Sequence, residues 1–104
     1  MGSAQEARER RHSRVHLSVE AKISCPATSH FEPAHLRDVS AGGAFLYAHL
    51  EVAPGMIVRI DFVVPVAGRE VLVSCEGSVV RAEANVLGKQ SGIAVQFASV
   101  HLSS

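Results

Sequence analysis

Hydrophobic and polar residues alternate along most of this chain with the two-residue period of strands that bury one face. From Val15 the alternation sets Val15, Leu17, Val19, Ala21 and Ile23 on one face and His16, Ser18, Glu20, Lys22 and Ser24 on the other. Pro26 to Pro33 has the composition of a loop. Ala34 to Val39 then leads into an Asp-Val-Ser-Ala-Gly-Gly turn and a run from Ala44 to Leu50, so two strands are expected to flank that turn. Ala53-Pro-Gly55 signals another turn. Ile57 to Val64 places Val58, Ile60, Phe62 and Val64 opposite Arg59 and Asp61, and Pro65 to Gly68 turns the chain. Glu70 to Ala82 sets Val71, Val73 and Cys75 on one face, with Gly77 interrupting as a bulge or bend would. After a loop from Asn85 to Lys89, Gly92 to Phe97 forms a last strand with Ile93, Val95 and Phe97 inward. No run has the period of a helix.

Six short strands with regular turns predict an all-β protein, a six-stranded antiparallel barrel whose closure removes the adhesive edges of an open sheet. A two-sheet sandwich is the competing architecture. The interior of so small a barrel is filled by side chains, so a ligand must bind outside it, across strand faces and on the N-terminal segment. Phe45, Tyr47, Phe62 and Phe97 lie in the strand patterns and are expected in the core.

With 104 residues the chain is one domain, and at 47% hydrophobic it is not a disordered one. Its apolar runs fall far short of the ~20 residues of a membrane-spanning helix. The N-terminus, MGSAQEARERR, is charged and has no apolar stretch, so no secretory signal is read there and a cytoplasmic location is expected. Cys25 and Cys75 lack metal-type spacing and are expected as free, buried thiols. No metal site is read among the six histidines (His12, His16, His30, His35, His49 and His101). No metal or cofactor is expected. No nucleophile has a recognisable base and orienting partner, which argues against an enzyme.

The formal net charge is zero but unevenly spread. Through Arg14, four arginines (Arg8, Arg10, Arg11, Arg14) face two glutamates, a local +2, while the remainder carries six basic and eight acidic residues, or −2. A basic arm over residues 1–14 therefore precedes a mildly acidic body, residues 15–104. DNA or RNA would call for a broad Lys/Arg face, and an OB-type barrel for exposed aromatics and a basic groove. A small anionic ligand suits four arginines better.

Two motifs carry chemistry: Arg10-Arg-His-Ser-Arg14, an RxxxR, and Asp38-Val-Ser-Ala-Gly-Gly43, a DxSxxG. Guanidiniums at i and i+4 offer planar forks for phosphate oxygens or for the O6/N7 edge of guanine. Asp38 and Ser40, two residues apart in an extended segment, point to one side, where the carboxylate accepts from the N1–H and N2 amino group of guanine. Gly42 and Gly43 are expected to supply backbone freedom for the turn and room for a ligand. The set reads as purine plus phosphate, specifically guanine.

With these residues the sequence resembles the PilZ domain, a bacterial family that binds the second messenger cyclic di-GMP. The likeness runs through ERRHSR (Glu9 to Arg14), DVSAGGAFL (Asp38 to Leu46), the APG turn before Met56, EGSVVRAE (Glu76 to Glu83) and GIAVQF (Gly92 to Phe97). The resemblance implies a barrel whose arm folds over the ligand. Arg10 and Arg14 would grip guanine and phosphate, Asp38 and Ser40 would read a guanine edge, and Gly43 would keep the turn open, with Arg11 and Gly42 completing the set. Where many members carry an aromatic residue, often Trp, this chain has Arg81, whose guanidinium plane can also stack on a base. Many members also continue into a C-terminal helix, whereas at most a short turn is expected after Phe97. The implied function is that of a ligand-dependent adaptor: cyclic di-GMP orders the arm and changes the surface offered to a protein partner, without membrane insertion. The alternative is an interaction module of the same fold that does not bind nucleotide.

Overall fold

The computed structural model describes residues 15–26, 30–84 and 90–103, with side chains from Val19 onward. Six strands follow one another: β1 (Val15–Cys25), β2 (His30–Val39), β3 (Gly43–Ala48), β4 (Ile57–Val66), β5 (Arg69–Ala84) and β6 (Ser91–Ser103). All pairings are antiparallel, and the order β1-β2-β3-β6-β5-β4 closes into a barrel through β1 and β4. Among the described residues there is no helix.

The alternation read from the sequence is what fills the interior. Ile23, Leu36, Leu46, Val58, Ile60, Cys75, Val79 and Ile93 are completely or almost completely buried, and Phe62 is the one aromatic ring buried with them. Val19, Val39, Val64 and Phe97, partly buried, pack against that core. Cys25 and Cys75 are buried and form no disulfide, and burial aided by the nearby Asp61 charge pushes the Cys75 thiol up to about 11. It therefore stays protonated, behaving as a small apolar side chain.

The strands depart from the sequence reading in several places, among them the end of β3 at Ala48 instead of Leu50. The segment Pro26 to Pro33 is not wholly a loop, because β2 already begins at His30. Pro33 is tolerated there: it pairs with Lys22 of β1, while β3 ends at Ala48 opposite Ala34, so no ladder bond on that side is missed. Ser24, expected outside, is buried between Phe31 and Arg59, its larger cross-strand neighbours. After Phe97 the chain makes no short turn but continues as β6 to Ser103, held by β5 from Leu72 to Glu76. The loop expected at Asn85 to Lys89 lies outside the described residues.

Two turns follow their sequence signals closely. Ala53-Pro-Gly-Met56 closes with Met56 N–H donating to Ala53 C=O (3.1 Å) and Gly55 at φ 96°, the geometry of a type II turn with Pro and Gly in its central positions. Gly55 N–H donates to Val79 C=O (2.7 Å) and Val79 N–H to Met56 C=O (2.8 Å), pinning this turn to β5. Between β4 and β5, Val66 pairs with Arg69 around a two-residue loop, and both Ala67 (φ 51°) and Gly68 (φ 78°) are left-handed, as a type I′ turn requires. Alanine adopts that conformation at a cost of about 1 kcal/mol, which asparagine largely avoids. Ala67→Asn should therefore raise stability by about 0.5–1 kcal/mol, a gain of a few degrees in a thermal melt of a domain this size; an unchanged or lower midpoint would refute the strain at Ala67.

Candidate functional site

Strict alternation would turn both Asp38 and Arg81 into the barrel. In β2, Leu36 faces the core and pairs with Leu46, so Asp38, two residues later, would face inward as well. The register instead shifts by one residue between Leu36 and Asp38, Arg37 being the extra residue, and Asp38 comes to lie opposite Phe45 while Val39 returns to the core side opposite Ala44. The same device operates in β5. Val79 is buried opposite Val95, a shift leaves Val80 extra, and Arg81 pairs with Ala94 on the outer surface. Each is a β-bulge, which re-aims side chains in this way.

The consequence is one cross-strand row on the outside of the barrel: Asp38 on β2, Phe45 on β3, Ala94 on β6 and Arg81 on β5. These four residues, with Arg37, Ser40, Gly42, Gly43 and Gln96, line a single concavity of about 970 Å3. One carboxylate oxygen of Asp38 is sheltered from solvent. Arg81 pairs through Nε with Glu83 Oε2 at 3.3 Å, but both side chains are 63% exposed, a setting in which an ion pair contributes little.

The turn carrying DxSxxG forms one lip of the concavity. Ser40 N–H donates to Gly43 C=O at 2.8 Å, Gly42 N–H donates to the Ser40 hydroxyl oxygen at 3.3 Å, and Phe97 N–H donates to Gly42 C=O at 2.9 Å, fastening the lip to β6. Ser40 is thus a builder of the turn as well as a residue of its surface. The backbone freedom expected of the two glycines is not used, since neither has a positive φ. Gly43 is demanded by close backbone approach, since a Cβ there would stand 2.3 Å from Val95 C=O, and nothing lies within 4 Å of one at Gly42.

Phe45 and Tyr47 are not core residues. Ala44, Leu46 and Ala48 take the inward positions of β3, leaving both rings on its outer face beside the motif. Their centroids stand 5.3 Å apart, edge to face at 83°, and Arg37 spans them, donating to Tyr47 Oη at 2.9 Å with its guanidinium 5.9 Å from the centre of Phe45. Gly92 makes the arrangement possible: a Cβ there would come within 2.8 Å of Phe45 Cζ. The parity of the run Gly43 to Ala48 was the available signal for these two residues, because its small and aliphatic members already occupy one face.

Arg10, Arg11 and Arg14 lie outside the described residues, as does the arm over residues 1–14. What the structure fixes is the point of attachment: β1 begins with Val15 paired to Val39 and His16 paired to Asp38, so the chain joins the barrel beside DxSxxG.

A family model for the PilZ domain matches residues 8–104. The chain belongs to the PilZ domain family. Among solved structures, it is similar to the Bacillus subtilis inhibitor of motility (MotI/DgrA), with a TM-score of 0.73 at 15% sequence identity, over 88% of this chain and 44% of that one. The present chain thus spans less than half of that protein, and the likeness is one of fold. No curated protein matches it in sequence. In this PilZ barrel DxSxxG stands at the lip of the concavity, with Arg81 on its far side.

The two glycines of the lip separate by experiment. Gly43→Ala should cost about 1–3 kcal/mol in urea denaturation, because its methyl group meets backbone that cannot swing away. Gly42→Ala should stay within about 0.5 kcal/mol of wild type. Equal effects would contradict the close approach of Gly43 to β6.

Proposed function

We propose that this PilZ domain is a receptor for the bacterial second messenger cyclic di-GMP, a cytoplasmic, non-catalytic adaptor whose N-terminal arm is ordered by the ligand. The observation that carries this reading is the convergence at one place of Asp38, Ser40 and Gly43 with the start of β1, the strand that directly follows RxxxR in sequence. In this reading Arg10 and Arg14, with Arg11 between them, take the phosphates and a guanine edge. Asp38 accepts from guanine N1–H and N2, Ser40 holds the turn and offers its oxygen, and Gly42 leaves the main chain open to the ligand. Arg81 stacks on a base.

The magnitudes are sufficient. Charge-assisted hydrogen bonds contribute roughly 1.5–3 kcal/mol each, and micromolar affinity needs about 8 kcal/mol net, so a handful of them suffices after the arm has been ordered. A ligand that binds the ordered arm and not the free one shifts the population toward the ordered state, which presents a different surface to a partner. The similar Bacillus subtilis protein is an inhibitor of motility; the present chain, in this reading, acts on a protein partner when its ligand is bound.

Isothermal titration calorimetry tests the reading. Cyclic di-GMP should bind saturably, cyclic di-AMP, which lacks the donor pair that Asp38 accepts, far more weakly, and Arg14→Ala should abolish detectable binding while the barrel stays folded. Absence of heat with the wild-type chain at concentrations well above micromolar would replace this reading by that of an interaction module without nucleotide; wild-type affinity in Arg14→Ala would remove the arm from the site.

A further inference from the structure

At the end of the barrel that carries DxSxxG, three strands run on past the others. β4 pairs with β1 only as far as Phe62, and β6 pairs with β3 only as far as Gln96, yet β4 stays paired with β5 to Val66 and β6 with β5 to Ser103. The projecting ribbon has two edges, residues 63–66 of β4 and residues 99–103 of β6, and among the described residues no strand lies along either. Such edges offer backbone N–H and C=O groups to any strand that reaches them. The β4 edge is blunted by Pro65, which has no N–H to give.

The β6 edge carries no such guard. It reads Ser99-Val-His-Leu-Ser103, without proline, lysine, arginine or a carboxylate. The register shift at Ala98 turns Val100 and Leu102 to the core side, opposite Cys75 and Val73, but there Val100 is still 44% exposed and Leu102 68%, the highest value among the described large apolar residues. In polarity the five residues form a palindrome. Laid antiparallel against itself about His101, the segment sets Val100 of each copy opposite Leu102 of the other and Ser99 opposite Ser103, so apolar meets apolar on one face and polar meets polar on the other. Self-complementarity of this kind is what a two-fold interface requires.

We propose that β6 of one copy pairs with β6 of a second about a two-fold axis at His101, joining the two ribbons into one six-stranded sheet. Phe97, which donates to Gly42 C=O, stands just before the paired segment, so the two DxSxxG lips hang on the shared sheet. The pairing needs no nucleotide, and it stands or falls separately from the receptor reading.

Sedimentation velocity of the full chain without ligand should show a reversible dimer at roughly 0.1–1 mM, the range of a small, transient interface. Leu102→Lys places a charge at both copies of the apolar pair and should weaken the dimer at least about tenfold, whereas Val63→Lys, on the outer face of β4, should leave it unchanged. A cysteine trap fixes the register. Opposed residues of an antiparallel pair have Cα atoms about 4.5–5.5 Å apart, within the roughly 4.4–6.8 Å that a disulfide spans, so His101→Cys should cross-link to itself on mild oxidation. Ser99→Cys, whose mate in the other copy lies four positions along the strand, about 13 Å away, should not. The wild type, with Cys25 and Cys75 buried, is the blank. Equal cross-linking at positions 99 and 101, or equal weakening by Val63→Lys and Leu102→Lys, overturns the pairing; so does a wild type that stays monomeric throughout that range, which leaves the edge to a strand of another protein.

Discussion

The strict two-residue period of a β-strand is the constraint on which the rest of this molecule depends. A barrel this narrow needs every second side chain inside, and it takes them from all six strands. Period two leaves no freedom to choose which residues face out, so a strand carrying both a core residue and a surface residue at the same parity must break its own register. The bulges at Arg37 and Val80 are those breaks. Each adds one residue to a strand flanking the β3–β6 pair, and together they deliver Asp38 and Arg81 to the same outer row. The type II turn at Pro54–Gly55 holds Val79, the residue just before the second bulge, by both of its backbone groups. Closing the core and building the outer surface are thus one act.

Between the two bulged strands the backbones come unusually close. Gly43 and Gly77 both stand where a Cβ would meet carbonyl oxygens of β6, at 2.3 and 2.1 Å, and Gly92 gives Phe45 its hollow. A further register shift, with Ala98 as the extra residue of β6, lies beside Gly77. Small residues here act through sterics, not through left-handed backbone: the positive φ values of the described residues belong to Gly55, Ala67 and Gly68, in the two turns.

Much of this was legible beforehand, and the failures have physical causes. Alternation located all six strands and the buried sets around Ile60, Val73 and Val95, because hydrophobic burial writes itself into composition at every second position. The interruption at Gly77 was legible too. The bulges at Arg37 and Val80 were not, since an extra residue changes parity without changing composition, and only the partner strand reveals it. Phe45 and Tyr47 were assigned inward because aromatic residues usually are; the rule fails where a glycine on the neighbouring strand offers the ring a place outside. Pro33 looked like loop because proline removes a donor, a loss without consequence where no strand lies alongside to accept. The residue types of DxSxxG stand in the sequence, but the placement of Asp38 and Arg81 in one outer row depends on a register that no local pattern encodes.

Charge decides how the two parts of the proposed receptor divide their work. Two basic residues, Arg37 and Arg81, and two acidic ones, Asp38 and Glu83, line the concavity, so the barrel has no basic excess there. Arg37 is occupied with Tyr47 and Phe45, and Arg81 with Glu83. A ligand with two phosphates finds on the barrel surfaces for its bases but little to neutralise its charge. The arm has the opposite character: four arginines against two glutamates, with the positive charge that the concavity lacks. Neither part alone is complementary to a cyclic dinucleotide. Binding on this division requires the arm and the barrel to meet across the ligand, so recognition and the conformational signal are the same event.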